Sequence, residues 1–119
     1  MVGIDIVDVN RFNHLVDNDS FLTKYFNKDE IDYVALKSYK EQTLAGLYAC
    51  KEAFLKATGK GIGDSIMLKD ICVLHTQSGA PYIFVNEKIS SYLNVNHLTK
   101  IECSISHTNT VAVAIVVIS

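Results

Sequence analysis

Hydrophobic residues recur with a helical period through residues 43–63, the segment around which the rest of the chain is arranged. Its large apolar side chains fall on one face of a 3.6-residue period. They are Leu44, Leu47, Tyr48, Phe54 and Leu55. The pattern predicts a long helix whose apolar face belongs to the core. Gly59 can take the left-handed conformation that ends a helix, while Gly61 and Gly63 keep the following backbone open to a ligand.

A second stripe of the same predicted helix runs through Ala45, Ala49, Glu52 and Lys56. The two alanines are small enough for close packing against a neighbouring element. Glu52 and Lys56 lie one turn apart, so a carboxylate and an ammonium share a face beside the glycine turn. A Glu four residues before a Lys is also a favourable surface pair worth about 0.2 to 0.5 kcal/mol. The two residues alone therefore do not distinguish a site from a solvated face.

Residues 2–9 alternate as a strand does, with one acidic residue in an otherwise apolar segment. Val2, Ile4 and Ile6 fall on one face of this strand, and Gly3, Asp5 and Val7 on the other. A carboxylate in a buried strand is costly unless it is paired, hydrogen-bonded or bound to a cation. Asp5 is therefore either a strand-end residue that makes local backbone hydrogen bonds or part of a site.

Periodicity and turn signals predict the other elements in chain order. Asp8 is placed to cap a helix over residues 9–16, which carries Arg11 close to the end of the first strand. Asn27 and Glu30 form a capping-box pattern before the next helix. The remaining predicted segments are an apolar piece at 21–26, a helix at 28–37, a hairpin of strands at 71–75 and 82–85, a short helix at 87–93, and strands at 101–106 and 111–118.

The last predicted strand, residues 111–118, is apolar at almost every position. Both of its faces must therefore be covered. A short chain with few helices has little to cover two faces with, so we expect one face to be buried against another subunit.

Size and composition limit the class of protein. The 119 residues fit one domain, residues 1–119, and the formal charge of −2 gives no global attraction to nucleic acid or anionic membranes. Cys50, Cys72 and Cys103 have no paired spacing, which indicates free, buried thiols in a reducing compartment. The sequence shows no secretory signal and no segment long enough to span a bilayer, so we expect a cytoplasmic protein.

Several residues could carry chemistry together. Asp5 and Glu52 come from separate elements with no histidine or cysteine ligand set, which suits Mg²⁺, an ion that completes its octahedron with waters and substrate phosphates. Lys56 and the open glycine backbone would hold those phosphates, which indicates metal-assisted phosphoryl or phosphodiester transfer. His107, between hydroxyl residues at the tip of the last hairpin, is either a structural turn residue or a contact for phosphate oxygens.

Five ordered motifs cover nearly the whole chain. They are Gly-x-Asp-x-x-[Glu/Asp]-x-x-Arg at residues 3–11, Phe-Thr-x-x-Glu at 26–30 with Asn27 in place of threonine, Ala-Gly-x-x-Ala-x-Lys-Glu-Ala-x-x-Lys-Ala-x-Gly-x-Gly-Ile-Gly at 45–63, Gly-x-Pro at 79–81, and Ser-[Ile/Val]-[Ser/Thr]-His-[Thr/Ser] at 104–108. In these motifs the chain resembles the holo-acyl-carrier-protein synthases, the small bacterial type of 4′-phosphopantetheinyl transferase.

The resemblance implies an α+β fold, with one long central helix packed on an antiparallel sheet, that assembles as a homotrimer with active sites at the subunit interfaces. It also implies a reaction that supports fatty acid biosynthesis. The serine of an apo acyl carrier protein attacks the β-phosphate of coenzyme A, which yields the holo carrier protein and 3′,5′-ADP.

The resemblance also assigns roles residue by residue. Asp5 and Glu52 correspond to the magnesium ligands, Lys56 to the residue that polarises the phosphate, and Arg11 to a contact with the acidic carrier protein. His107 completes the catalytic set by position. The coenzyme-binding positions are Lys56, Gly59, Lys60, Gly61, Pro81, Ser106, His107 and Thr108.

Two departures from the family pattern bear on coenzyme binding. Leu47 stands where many relatives have arginine, which removes a basic contact, and Lys60 replaces a common threonine and is placed to supply substitute charge. Two other functions use the same features: a catalytically silent trimeric binding module of the same fold, and a nucleotide phosphohydrolase that needs no carrier protein.

Overall fold

The computed structural model describes residues 1–59 and 65–119. Within these residues it contains four α-helices, five strands and two 3-10 turns. The helices are α1 (Asp19–Tyr25), α2 (Lys28–Ala35), α3 (Lys40–Ala57) and α4 (Glu87–Val95). The strands are β1 (Val2–Asp8), β2 (Cys72–His75), β3 (Pro81–Phe84), β4 (Ile101–His107) and β5 (Val111–Ile118). The 3-10 turns are Val9–Phe12 and Leu68–Asp70.

The long helix α3 packs on a three-stranded antiparallel sheet with the order β1-β5-β4. The hairpin of β2 and β3 forms a second, two-stranded sheet. In the larger sheet Ala114 of β5 lies opposite Asp5 of β1 and Ile105 of β4. β1 and β4 are therefore the two edges of the sheet. This arrangement confirms the predicted α+β fold with one central helix.

The helix α3 approaches β1 closely enough that one strand position must be glycine. A Cβ added to Gly3 would lie 2.0 Å from the carbonyl oxygen of Ala53. Ala53 itself is fully buried. Ala45 and Ala49, the two small residues predicted to pack closely, are fully buried as well.

Burial extends around more of α3 than one apolar face. Leu44, Leu47 and Phe54 are buried as predicted, while Tyr48 and Leu55 are only half-buried. The sequence pattern did not indicate that a charged residue, Lys51, is also fully buried on this helix.

Lys51 is buried because every hydrogen of its ammonium group meets an oxygen. Its Nζ donates to Glu30 Oε1 at 2.6 Å, to the Tyr25 carbonyl at 2.8 Å and to the Leu68 carbonyl at 3.1 Å. Glu30 is equally buried, and its other oxygen accepts from the Val73 amide at 2.9 Å. The pair ties α3 to α1, α2, β2 and the 3-10 turn at Leu68–Asp70.

At the start of α2, Glu30 makes the predicted capping-box contact and also a second contact that was not predicted. Glu30 Oε1 accepts the Asn27 backbone N–H at 2.8 Å, as a capping-box glutamate does. The same carboxylate is the partner of Lys51. The helix ends at Ala35, two residues before the predicted end.

The predicted helix over residues 9–16 is wrong. The chain forms a 3-10 turn at Val9–Phe12, and within the described structure the Asp8 side chain makes no capping hydrogen bond. The Val9 amide instead donates to the Thr110 carbonyl at 2.8 Å, which holds this residue to the turn between β4 and β5. Residues 21–26 lie mostly in α1, whose first turn is capped by the Asn18 side chain accepting from the Phe21 amide.

The outer face of the larger sheet is apolar and exposed in the single chain. Val2, Ile4 and Ile6 are 62%, 59% and 68% exposed, and Ile115 of the neighbouring strand is 39% exposed. The opposite face of β5 is buried against α3 through Ala112, Ala114, Val116 and Ile118. One chain thus covers only one face of its sheet.

Two smaller expectations can be compared directly with the fold. All three cysteines are free, with Cys50 and Cys72 buried and Cys103 half-buried. None of the helices in the described ranges has the length and apolar character needed to cross a bilayer.

Candidate active site

Asp5 and Lys56 form an ion pair between β1 and α3. Lys56 Nζ lies 2.9 Å from Asp5 Oδ1, and the Asp5 side chain is only 12% exposed. The hydrogen bond and charge of Asp5 raise the pKa of Lys56, so its ammonium stays protonated well above neutral pH. Asp5 is thus paired with a residue of another element rather than isolated in its strand.

The second oxygen of Asp5 has no such partner. Asp5 Oδ2 is buried, and among the described residues it accepts no hydrogen bond. A buried carboxylate oxygen without a donor is costly, which makes it a ready acceptor for a cation or a bound ligand.

Glu52 completes what we call the carboxylate cluster, defined as Asp5, Glu52 and Lys56. Glu52 is half-buried one turn before Lys56 on α3, and its charge also raises the Lys56 pKa. The ion pair of Lys56 is with Asp5 on β1 and not with Glu52 on its own helix. Lys56 and Glu52 are therefore not simply a surface pair along α3.

The donor set of this cluster fits magnesium. Its acceptors are oxygens of two carboxylates, and one of them, Asp5 Oδ2, is buried without a donor. No group of three or more His, Cys, Asp or Glu that could hold a metal occurs within residues 1–59 and 65–119. Mg²⁺ is commonly held by one or two carboxylates, with waters and substrate phosphates in the other positions.

Arg11 and Tyr48 lie beside the carboxylate cluster. The Arg11 guanidinium donates to the Tyr48 hydroxyl at 3.3 Å and lies 5.0 Å from the centre of the Tyr48 ring. Burial is the main cause that raises the pKa of Tyr48, and the charge of Glu52 adds to it. The phenol is therefore a stable hydrogen-bond donor at neutral pH.

His107 lies elsewhere, in a pocket of about 210 Å³ at the β4 edge of the sheet. The predicted residue Pro81 lines the same pocket, together with Gly46, Leu47 and Gly79. The carboxylate cluster begins at Asp5 on the opposite edge strand, and none of its three residues is among the described residues that line the pocket. Within one chain the structure therefore brings Pro81 and His107 together but keeps them apart from Asp5, Glu52 and Lys56.

The residues flanking His107 have separate positions. Ser106 lies on the outer face of the sheet, where it lines a shallow pocket with Ile4 and Ile115. The Thr108 hydroxyl accepts the backbone amides of Thr110 and Val111 at 3.2 and 3.1 Å, so it stabilises the turn.

The glycine turn after α3 is described only at its first residue. Gly59 has a φ of 80°, which confirms the predicted left-handed helix end. Lys60 and Gly61, which were predicted to contact the coenzyme, lie outside the described residues.

Three aromatic residues near these two groups were not predicted from the sequence. Tyr33 and His75 stack with ring centres 3.9 Å apart and line the pocket of His107, and burial lowers the pKa of His75. These contacts join distant segments, so no local pattern indicates them. Tyr48 did have a signal, because it lies four residues before Glu52 on the same helix.

The chain is similar to one known family over nearly its whole length. The family model described as "4'-phosphopantetheinyl transferase superfamily" matches residues 1–116. The holo-[acyl-carrier-protein] synthase of Caldicellulosiruptor saccharolyticus is 38% identical over 113 residues, which are 95% of this chain and 90% of that protein. The corresponding synthase of Enterococcus faecalis is 39% identical, over 98% of this chain and 94% of that protein.

Two solved structures show the same fold. The holo-[acyl-carrier-protein] synthase of Helicobacter pylori, solved in complex with coenzyme A, has a TM-score of 0.86 at 33% identity and covers 100% of both chains. The synthase of Neisseria meningitidis has a TM-score of 0.88 at 27% identity, covering 99% of this chain and 96% of that one. With its fold, its ordered motifs and these relatives, the chain belongs to the 4′-phosphopantetheinyl transferase superfamily.

Proposed function

We propose that this protein is a holo-acyl-carrier-protein synthase. It transfers the 4′-phosphopantetheine group of coenzyme A to a serine of an apo acyl carrier protein and so supports fatty acid biosynthesis. The observation that carries the proposal is the carboxylate cluster, in which Lys56 Nζ lies 2.9 Å from Asp5 on another element while Asp5 Oδ2 is buried with no donor among the described residues.

The reaction replaces the phosphoanhydride bond of coenzyme A with a phosphate ester on serine. The serine oxygen forms a bond to the β-phosphorus of coenzyme A, the bond from that phosphorus to the oxygen bridging the α-phosphate breaks, and the serine proton passes to water or to a carboxylate of the site. The products are the holo carrier protein and 3′,5′-ADP. Because charge builds up on the pyrophosphate oxygens, the site must supply positive charge at that position.

In our proposal Lys56 supplies that charge directly, because its raised pKa keeps it an ammonium. Asp5 and Glu52 would hold Mg²⁺ through their carboxylate oxygens. When bound, the ion neutralises and orients phosphate oxygens. We assign Arg11, exposed beside this cluster, to the acidic carrier protein, since charges at the rim of an interface steer encounter and fix its register.

We assign coenzyme binding to residues from two regions. Pro81 and His107 line one pocket, Lys56 and Gly59 lie at the end of α3, and Lys60 and Gly61 follow them in the sequence. We propose that Ser106 contacts the coenzyme from the outer face of the sheet. We assign Thr108 an indirect role, because its hydroxyl stabilises the turn next to His107.

We further propose that a neighbouring copy completes the site. The carboxylate cluster and the pocket of His107 lie at opposite edges of one sheet. The apolar outer face through Val2, Ile4 and Ile6 is exposed in the single chain, and its burial against copies of the chain would bring the two regions of different chains together. The family resemblance implies three copies. The free thiols suit a reducing compartment, so we place the protein in the cytoplasm.

Measuring release of 3′,5′-ADP from coenzyme A separates this proposal from its two competitors. The purified protein is incubated with Mg²⁺ and coenzyme A, with and without an apo acyl carrier protein. A synthase releases 3′,5′-ADP only when the carrier is present. Release without the carrier would support a phosphohydrolase, and no release with several carriers would support a silent binding module.

A further inference from the structure

The side of α3 that carries Glu52 and Lys56 continues one turn back to Tyr48. These three residues are spaced by four, so their side chains lie above one another along the helix. Tyr48 is half-buried, unlike the fully buried residues on either side of it, Leu47 and Ala49. Its hydroxyl is therefore at the border between core and site.

The ring of Tyr48 is held from two sides. The Phe12 ring lies 5.3 Å away at an angle of 58°, and the Arg11 guanidinium lies 5.0 Å from the Tyr48 ring centre. A tilted aromatic pair and a cation over a ring face are both favourable contacts. They set the position of the hydroxyl without using its hydrogen-bonding capacity.

The hydrogen bonds of this hydroxyl have a defined direction. A guanidinium can only donate, so the 3.3 Å contact places Arg11 Nη2 as donor and the phenolic oxygen as acceptor. The phenolic proton is then available for an acceptor. The Glu52 carboxylate lies one turn along α3 on the same side of the helix, and its charge raises the pKa of Tyr48, so it is the nearest acceptor on this helix for that proton.

We propose that Tyr48 is a positioning residue that joins Arg11 to Glu52 through one hydrogen-bonded chain. Arg11 donates to Tyr48, and Tyr48 donates to Glu52. The chain holds the arginine that faces the carrier protein in a fixed relation to a carboxylate of the metal-binding cluster. This inference rests on the roles given above to Arg11 and Glu52.

The variant Tyr48→Phe tests the proposal because it keeps the ring and deletes only the hydroxyl. Two quantities are measured: the affinity for Mn²⁺ by electron paramagnetic resonance, with coenzyme A and no carrier protein, and kcat and KM for the apo carrier protein. We expect Mn²⁺ affinity to fall and the carrier KM to rise, each by roughly threefold to tenfold, as expected for the loss of one hydrogen bond of ordinary net strength. The KM for coenzyme A should change less than the carrier KM.

The variant Tyr92→Phe is a matched control. It too deletes a single phenolic hydroxyl, in this case a buried one that has no partner among the described residues and lies on α4 away from the site. It should leave Mn²⁺ affinity and both KM values unchanged. Thermal unfolding of both variants, followed by circular dichroism, shows whether any loss reflects unfolding.

A double-mutant cycle adds a result that a structural role alone would not give. If Arg11 acts on the carrier through a side chain that Tyr48 holds, Arg11→Ala and Tyr48→Phe together should raise the carrier KM by less than the product of the single effects. A Tyr48→Phe protein with wild-type Mn²⁺ affinity and carrier KM would overturn the proposal while leaving carrier modification by the wild type intact. A wild-type protein that neither modifies the carrier nor binds Mn²⁺ would overturn the proposed function along with it.

Discussion

Asp5 has two carboxylate oxygens in different environments, and this difference is the main clue to function at the level of single residues. Oδ1 accepts from the exposed ammonium of Lys56, whereas Oδ2 is buried with no donor in the described structure. A carboxylate that served only to stabilise the fold would be expected to have both oxygens hydrogen-bonded. The free oxygen therefore suits a ligand that arrives later, a cation or the water bound to one.

The Asp5–Lys56 ion pair predicts how the pKa of Lys56 responds to removal of the Asp5 charge. Asp5→Asn removes the charge that raises the Lys56 pKa, so this pKa should fall towards its ordinary value of 10.5. The pair's contribution to stability is present below pH 10.5 and is lost as the pH rises through the higher folded-state pKa. Lysine-detected NMR titration of wild type and variant measures both values. An unchanged Lys56 pKa in Asp5→Asn would mean that the pair does not persist in solution.

The proposed role of Arg11 predicts that its removal weakens use of the carrier protein. Arg11→Ala should raise the KM for the apo carrier protein about tenfold or more while changing coenzyme A affinity little, because the arginine lies beside the cluster rather than in it. Steady-state kinetics and calorimetry with coenzyme A measure the two effects. Lys100→Ala is a control that removes the same charge from the far edge of the sheet. Equal losses for carrier and coenzyme A would contradict this role.

At the scale of elements, the position of α3 depends on two kinds of contact, close packing of small residues and a buried ion pair. Towards β1 the helix uses small residues, and the absence of a side chain at Gly3 permits the approach. Near its middle it uses a buried ion pair, in which Lys51 and Glu30 together reach four other elements. The residue after Lys51 is Glu52, so the pair fixes the helix next to the site.

Breaking the buried pair should destabilise the protein strongly. Lys51→Met leaves the Glu30 carboxylate buried without its counter-charge, which typically costs about 3 to 5 kcal/mol in the free energy of unfolding. Chemical denaturation measures the change. The control Lys28→Met breaks the exposed Lys28–Asp32 pair, which lies on α2, and should cost less than about 1 kcal/mol. The double variant Lys51→Met, Glu30→Leu should recover part of the loss, and an additive loss would contradict the pair.

The elements differ in how far the sequence predicted them. The helical period of residues 43–63 and the strand pattern of 111–118 predicted α3 and β5, since both patterns arise from burial along a whole element. The predicted helix at 9–16 was wrong because Asp8 resembles a helix cap in the sequence. The observed 3-10 turn is instead held by a hydrogen bond from the Val9 amide to the carbonyl of Thr110, which is distant in the sequence. The burial of Lys51 also depends on contacts between distant segments, and the local pattern therefore did not predict it. Its three oxygen partners come from segments far away in the sequence.

At the scale of the whole molecule, the single chain presents an incomplete site and an uncovered sheet. Asp5, Glu52 and Lys56 were predicted to act together and do lie together, whereas the structure places His107 at the other edge of the sheet. The residue pattern alone could not indicate this separation, because motif order does not state which residues belong to one copy of the chain. The family resemblance, which implies active sites at subunit interfaces, is consistent with it. An assembly that buries the outer face would explain both features.

A charge on the outer face tests the assembly. Ile4→Glu places a carboxylate in the centre of the exposed apolar face, where Ile4 is 59% exposed. We expect sedimentation or light scattering to show a trimer for the wild type and smaller species for Ile4→Glu, with much reduced carrier modification. Leu36→Glu, at a residue that is 85% exposed away from this face, should remain trimeric and active. A monomeric wild type that is fully active would contradict a shared site.

The most direct test of the central claim is the intact mass of an apo acyl carrier protein after incubation with Mg²⁺, coenzyme A and the enzyme. The wild type should add the mass of one phosphopantetheine group to the carrier. Glu52→Gln should lower the rate at least about a hundredfold, as the loss of a group that stabilises transition-state charge does. Glu41→Gln, which removes the same charge from the first turn of α3, should behave as the wild type does. An unmodified carrier with the wild type, or full activity in Glu52→Gln, would contradict the account.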